Sequence, residues 1–142
     1  MNAHQIELVQ ISFSQVEPMA VVAADLFYTR LFELDPSLKT MFHGDMTEQG
    51  KKLMTMLGVA VTNLTKPDLV LPALKMLGQR HMGYGVTESH YETVGAALLW
   101  TLEKGLGEAF TAEVREAWVA IYTLVADTMK TAATAHLEAK TV

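Results

Sequence analysis

The segment LPALKMLGQRHMGYGV, residues 71–86, contains the most informative residue of the chain. Leu74 and Leu77 precede His81 by seven and four positions, so the three side chains share one face of a helix. Two glycines follow the histidine and predict the end of that helix. An imidazole at the edge of an apolar face can bind a metal, although a histidine at a helix end is more often solvated. The segment therefore predicts a helix that carries one candidate ligand nitrogen.

The composition is that of a globular protein without thiol chemistry. Half of the 142 residues are hydrophobic and 19% are charged, and the length predicts one domain over residues 1–142. There are no cysteines, which excludes disulfides and thiolate metal sites. The formal net charge is −5 with no basic run, which argues against nucleic acid as a partner. The N-terminus lacks a signal-peptide pattern and no apolar stretch could span a bilayer, so we expect a cytoplasmic protein without membrane association.

Apolar periodicity predicts an all-α chain of about seven helices, because no segment shows sustained period-two alternation. Pro18 and Pro36 each follow an acidic residue and can open a helix at its first position. Thr111 is placed to cap the last helix. The predicted helices span about residues 4–17, 18–33, 36–41, 46–64, 70–82, 88–105 and 112–136.

Four stretches of the chain resemble a known family in their order and spacing. They are LFYTRLFELDPSLKTMF (26–42), KKLMTMLGVAVTNL (51–64), LGQRHMGYGV (77–86) and HYETVGAALLWTLEKGLGEAFTAEVREAWVAIY (90–122). The chain resembles the globins, and among them the single-domain bacterial globins that are similar to neuroglobin and to the haem domain of flavohaemoglobins. The resemblance covers nearly the whole chain and implies a globin fold around a haem pocket. Because there is no Cys-x-x-Cys-His attachment motif, the implied group is haem b, iron protoporphyrin IX.

On the proximal side, the resemblance implies that His81 binds the haem iron. Phe42 matches the phenylalanine that packs flat on the haem where the short third helix ends. Tyr91 matches the tyrosine that reaches the proximal side in flavohaemoglobins. Four more residues are expected to contact the haem: Leu77, Val86, Lys52 and Arg80. The two cations, Lys52 and Arg80, could pair with the haem propionates, although exposed ion pairs add little stability.

On the distal side, the resemblance places Gln49 where many globins have histidine and Tyr28 where a side chain faces the bound ligand. Leu53 lies one helical turn after Gln49 and would close the same wall. An amide is a poor iron ligand, so we expect five-coordinate iron with an open position. Tyr28 and Gln49 can both donate a hydrogen bond to a polar ligand, which predicts high oxygen affinity and slow release. Alternatively, the tyrosine could reach solvent or a backbone carbonyl, and the glutamine could point into water.

These residues favour reversible binding of dioxygen, and of nitric oxide and carbon monoxide, for oxygen transport, storage or sensing. The second hypothesis is a nitric oxide dioxygenase that works with a separate reductase, because residue 142 ends the chain without a flavin domain. The glutamate that pairs with the proximal tyrosine in flavohaemoglobins is replaced by Ala133, which weakens this hypothesis. A third hypothesis is sulfide binding or redox sensing by ferric haem, and a fourth is a haem-free helical protein that binds an apolar ligand or a partner helix. Monomer and homodimer both remain open.

Overall fold

The computed structural model describes residues 2–42, 44–83 and 87–141, and side chains within them other than those at positions 67, 77, 79–83 and 133–141. These residues form six α-helices and three short 3-10 helices, with no strand among them. The α-helices are α1 (Ala3–Val16), α2 (Ala20–Leu34), α3 (Met46–Thr62), α4 (Pro67–Gly83), α5 (Glu88–Leu106) and α6 (Ala112–Thr141). The 3-10 helices span Glu17–Met19, Pro36–Met41 and Gly107–Ala109. The all-α prediction is therefore confirmed.

Each predicted helical segment has a counterpart in the structure; two of the helix starts differ at prolines, and the last helix ends at Thr141, five residues later than predicted. The short segment 36–41 has the predicted bounds and is a 3-10 helix. Pro18 lies inside the first 3-10 helix, so α2 begins at Ala20, slightly later than predicted. By contrast, α4 begins at Pro67, earlier than predicted. Proline is tolerated at a first helical position because the N–H that it lacks would have no partner within the helix there.

Side-chain caps fix the starts of α3 and α6. The Asp45 carboxylate accepts a hydrogen bond from the backbone N–H of Thr47 at 2.8 Å. The Thr111 hydroxyl accepts one from the backbone N–H of Val114 at 3.2 Å, which confirms the predicted cap of α6. These contacts satisfy amides that the helix itself leaves unpaired, so they define where each helix begins.

A buried polar contact joins α1 to α6 in the larger part of the core. The Trp118 ring lies 6.5 Å from the Phe13 ring, and its indole N–H donates to the Ser12 hydroxyl at 2.8 Å. Ser12 in turn donates to the Leu8 carbonyl at 2.7 Å, so both buried groups are satisfied. Elsewhere α4 packs mainly along α6, and α2 crosses both α3 and α5. None of the described helices combines the length and apolar character that crossing a bilayer requires.

Candidate functional site

Tyr28 lies at the centre of a cluster of aromatic rings between α2 and the 36–41 helix. Its ring centroid is 5.1 Å from Phe27, 6.1 Å from Phe32 and 5.4 Å from Phe42. The residue is only 7% exposed. The phenol ring is therefore surrounded by apolar rings.

Gln49 supplies a polar partner for this phenol. Burial raises the pKa of Tyr28 above its ordinary value, and a side-chain hydrogen bond with Gln49 offsets part of the rise. The glutamine is held in the first turn of α3, where its backbone N–H donates to the Asp45 carbonyl at 3.1 Å. A phenol is protonated at neutral pH even at its ordinary pKa, so Tyr28 is available as a hydrogen-bond donor.

Half-buried apolar side chains from three further elements surround the tyrosine. Leu53 comes from α3, Phe42 follows the 36–41 helix, and Val94 and Leu98 come from α5. Together they offer apolar surface beside one phenol and one amide, which is the chemistry that a flat, apolar prosthetic group requires. Haem is such a group, and these residues fit it. The structure thus brings together Tyr28, Phe42 and Leu53, with the Gln49 side chain near the tyrosine.

The other predicted haem contacts are described only in part. The backbone of His81 lies in the last turn of α4, as predicted, but its side chain is outside the described residues. Lys52 is exposed on α3. The remaining positions also lie outside the described residues or side chains: Leu77, Arg80, Val86 and Ala133.

A close approach between two helices fixes the position of α4. A methyl group built on Gly78 would overlap the backbone carbonyl of Met129 and lie 2.7 Å from its Cα atom. Only glycine therefore allows α4 to lie this near to α6. Gly78 precedes His81 by three residues on α4, so the crossing point lies about one turn before the histidine. A glycine in the middle of an apolar stripe is a sequence signal for such an approach, and it was not used in the sequence prediction.

Tyr91 occupies the junction of α4, α5 and α6. It packs with Leu74 and Met129, and burial raises the pKa of its phenol. Its backbone carbonyl accepts a hydrogen bond from the Tyr122 hydroxyl at 2.5 Å. Burial, and then the neighbouring Tyr91, raise the pKa of Tyr122 strongly. Gly95 makes room for this contact, because a methyl group there would lie 2.8 Å from the Tyr122 ring. Neither Tyr122 nor Gly95 was predicted from sequence as a supporting residue.

The fold and this cluster define an all-helical protein with a half-buried apolar cluster beside a phenol and an amide. The family profile described as Globin matches residues 25–129. The chain belongs to the globin family, whose members bind haem.

Similar proteins agree with this assignment. The neuroglobin of Dissostichus mawsoni is 32% identical over 137 residues, covering 87% of this chain and 86% of that protein. A flavohemoprotein of Xylella fastidiosa (strain 9a5c) is 29% identical over 132 residues, covering 91% of this chain but only 33% of its own length.

Two solved structures share the fold. One is an engineered carbene transferase made from a Rhodothermus marinus protein described as a nitric oxide dioxygenase. It has a TM-score of 0.89 at 21% identity and covers 100% of this chain and 99% of its own. The other is a hexacoordinated heme protein from an anhydrobiotic tardigrade, with a TM-score of 0.85 at 18% identity, covering 94% and 96% respectively. Both likenesses concern the fold alone.

Proposed function

We propose that this globin binds dioxygen and other small gases reversibly at a b-type haem whose iron is bound by His81. The observation that carries the proposal is the buried Tyr28 phenol with Gln49 beside it, inside a half-buried apolar cluster. The globin family and the fit of this cluster to haem support the prosthetic group. The position of His81 in the last turn of α4 supports the axial ligand.

When bound, haem supplies an iron atom with one open coordination position for a small gas. The residues of this chain then determine which gases bind most tightly. The Tyr28 hydroxyl and the Gln49 amide can donate hydrogen bonds to a polar ligand, while Phe42 and Leu53 keep water away. A hydrogen bond is worth more in such a dry pocket than in water, so the pocket favours dioxygen over the less polar carbon monoxide.

The proposed open iron position depends on the identity of residue 49. Many globins have a histidine there, which can bind iron directly. Gln49 presents an amide, which is a poor iron ligand, and this amide lies near the Tyr28 phenol. A five-coordinate ferrous iron follows from this argument. The hexacoordinated tardigrade protein shares the fold, so coordination has to be tested on this chain directly.

A nitric oxide dioxygenase is the second candidate, and the similarity to the Xylella flavohemoprotein favours it. That protein is about three times as long as the matched region, so its activity as a whole is not transferred to this chain. Turnover would require electrons from a separate reductase. Steady-state consumption of nitric oxide with an added reductase distinguishes the two functions, because a gas-binding protein reacts once for each haem and then stops.

The proposal is tested by absorption spectroscopy of the reduced, oxidised and oxygenated protein. We expect a strong Soret band, a high-spin five-coordinate ferrous spectrum without added ligand, and a reversible shift when dioxygen is added and removed. A colourless protein that takes up no added hemin would contradict the proposal. A low-spin six-coordinate ferrous spectrum would retain the haem and contradict the open position.

A further inference from the structure

Lys130 brings a positive charge to the junction where α4 packs on α6. Its ammonium nitrogen lies 5.5 Å from the centroid of the Tyr91 ring, within the range of a cation–π contact. The lysine is half-buried and Tyr91 is only 9% exposed, so part of this charge lies over an apolar junction. At a given distance, a charge in such an apolar place interacts more strongly with another charge than it would in water.

The register of the helices relates this charge to the position of His81. Gly78 touches the backbone of Met129, and Lys130 is the next residue of α6. His81 lies three positions after Gly78 on the same face of α4, a rise of about 4.5 Å along the helix. Leu74, on the same face, packs with Tyr91, whose ring lies under the lysine. Tyr91 and the 129–130 segment therefore pack on the two turns of α4 that precede His81.

The acidic residues nearby are poorly placed to cancel this charge. Glu88 and Glu92 flank Tyr91 on α5, and Asp127 precedes Lys130 by one turn of α6. All three side chains are exposed, so water and salt screen them more than they screen the half-buried lysine. The net field of this cluster at the junction is expected to be positive.

We propose that Lys130, held over Tyr91, raises the reduction potential of the iron bound by His81 and so favours the ferrous form that binds gas. This inference rests on the proposed function and adds to it. Ferric iron carries one more positive charge than ferrous iron, so a nearby cation disfavours the ferric state of this one-electron couple. The same charge should reduce electron donation from the imidazole, since groups around an axial histidine tune its basicity. Lys130 is thus a positioning residue that acts through its field.

The test is the midpoint potential of the haem-loaded variants, measured by spectroelectrochemical titration. Lys130→Gln removes the charge, Lys130→Glu reverses it, and Lys130→Arg keeps it. We expect the arginine variant to match the wild type, the glutamine variant to shift to lower potential, and the glutamate variant to shift further in that direction. A raised iron–imidazole stretching frequency in the uncharged ferrous variant, measured by resonance Raman spectroscopy, would accompany the shift.

Lys104→Gln is the matched control. Lys104 lies 5.6 Å over the Trp100 ring in a similar cation–aromatic contact, but on α5 away from the α4–α6 junction. The loss of one positive charge there should leave the potential close to that of the wild type. Equal potentials in Lys130→Gln and Lys104→Gln would overturn the inference, because the effect would then reflect net charge alone.

Loss of haem in the uncharged variants would distinguish a structural role of Lys130 from an electrostatic one. Lys130→Met keeps the alkyl stem that covers Tyr91, so it can replace Lys130→Gln if that variant does not fold. If Lys130→Arg loads haem and every uncharged variant fails to, the role of the lysine is structural and the inference is overturned. If the wild type binds no haem at His81, both the proposed function and this inference fail. If the wild type binds haem at His81 and its reduction potential does not depend on Lys130, only this inference fails.

Discussion

At the scale of single residues, the phenol of Tyr28 is the group on which ligand affinity depends. It is protonated at neutral pH, burial raises its pKa further, and its ring neighbours restrict the direction in which the hydroxyl can point. A hydrogen bond contributes about 1 kcal/mol net, and about 2–3 kcal/mol when the acceptor carries charge. Since about 1.4 kcal/mol is a factor of ten, this donor alone can set the lifetime of a polar ligand.

Replacement of Tyr28 by phenylalanine tests this role. We expect the oxygen dissociation rate of Tyr28→Phe to rise roughly ten- to a hundredfold, with a much smaller change for carbon monoxide, because only the polar ligand loses a hydrogen bond. Stopped-flow ligand replacement measures both rates. Phe32→Leu changes a neighbouring ring without removing a donor and serves as the control. An unchanged oxygen dissociation rate in Tyr28→Phe would show that the phenol does not stabilise bound oxygen.

At the scale of helices, the sequence predicted the fold well because its signals are local. The stripe of apolar residues and the cap at Thr111 predicted α6, and proline positions predicted the 36–41 helix. Tyr28, Phe42 and Leu53 were each expected to contact the haem or its ligand, and they share one apolar cluster. Contacts between distant segments were not predictable in this way. The approach of Gly78 to Met129 depends on how two helices cross, and periodicity along one helix contains no information on that crossing.

The Gly78 crossing predicts the cost of adding one methyl group. Gly78→Ala should destabilise the protein by about 1–3 kcal/mol, because the methyl group overlaps backbone atoms that cannot move aside like a side chain. Chemical denaturation measures the change in the free energy of unfolding. Gly58→Ala is the control: a methyl group there meets only the Phe13 ring, at 3.7 Å, and the better helix propensity should stabilise by up to about 1 kcal/mol. Equal effects of the two substitutions would mean that α4 does not lie this close to α6.

The start of α5 carries a contact that was not predicted. The Nδ1 atom of His90 accepts a hydrogen bond from the backbone N–H of Thr87 at 3.0 Å and completes a capping box. His90→Ala should lower the free energy of unfolding by about 1 kcal/mol through loss of this bond. His90→Gln keeps an acceptor of the type that usually occupies this position and should retain most of the stability. Thermal unfolding of the two variants is the measurement, and an equal loss in both would show that the acceptor is unimportant.

At the scale of the whole molecule, two buried tyrosines and one half-buried tyrosine predict how stability changes with pH. Burial raises the pKa values of Tyr28, Tyr91 and Tyr122. Above the unfolded tyrosine pKa of about 10, the unfolded chain releases protons that the folded chain retains. The unfolded state then binds fewer protons, so the free energy of unfolding decreases with rising pH. The stabilisation is fully present below that pKa and is lost as the pH rises towards the folded values.

Tyr122→Phe isolates one part of this effect. The variant loses the hydrogen bond to the Tyr91 carbonyl, so it should be less stable than the wild type at neutral pH. The variant also lacks the Tyr122 phenol, whose pKa is raised in the folded protein. Its stability should therefore fall less steeply between pH 10 and pH 12 than that of the wild type. Urea denaturation at a series of pH values measures both. Parallel pH profiles for the two proteins would contradict the assignment of the alkaline slope to Tyr122.

Across the whole chain, the central claim is that one imidazole holds the haem and leaves the opposite side of the iron open. Resonance Raman spectroscopy of the ferrous protein tests it directly through the iron–histidine stretch. We predict this band in the wild type with a five-coordinate high-spin spectrum, its loss in His81→Gly, and its return when free imidazole is added to that variant. An unaltered band in His81→Gly, or a six-coordinate ferrous wild type, would contradict the account.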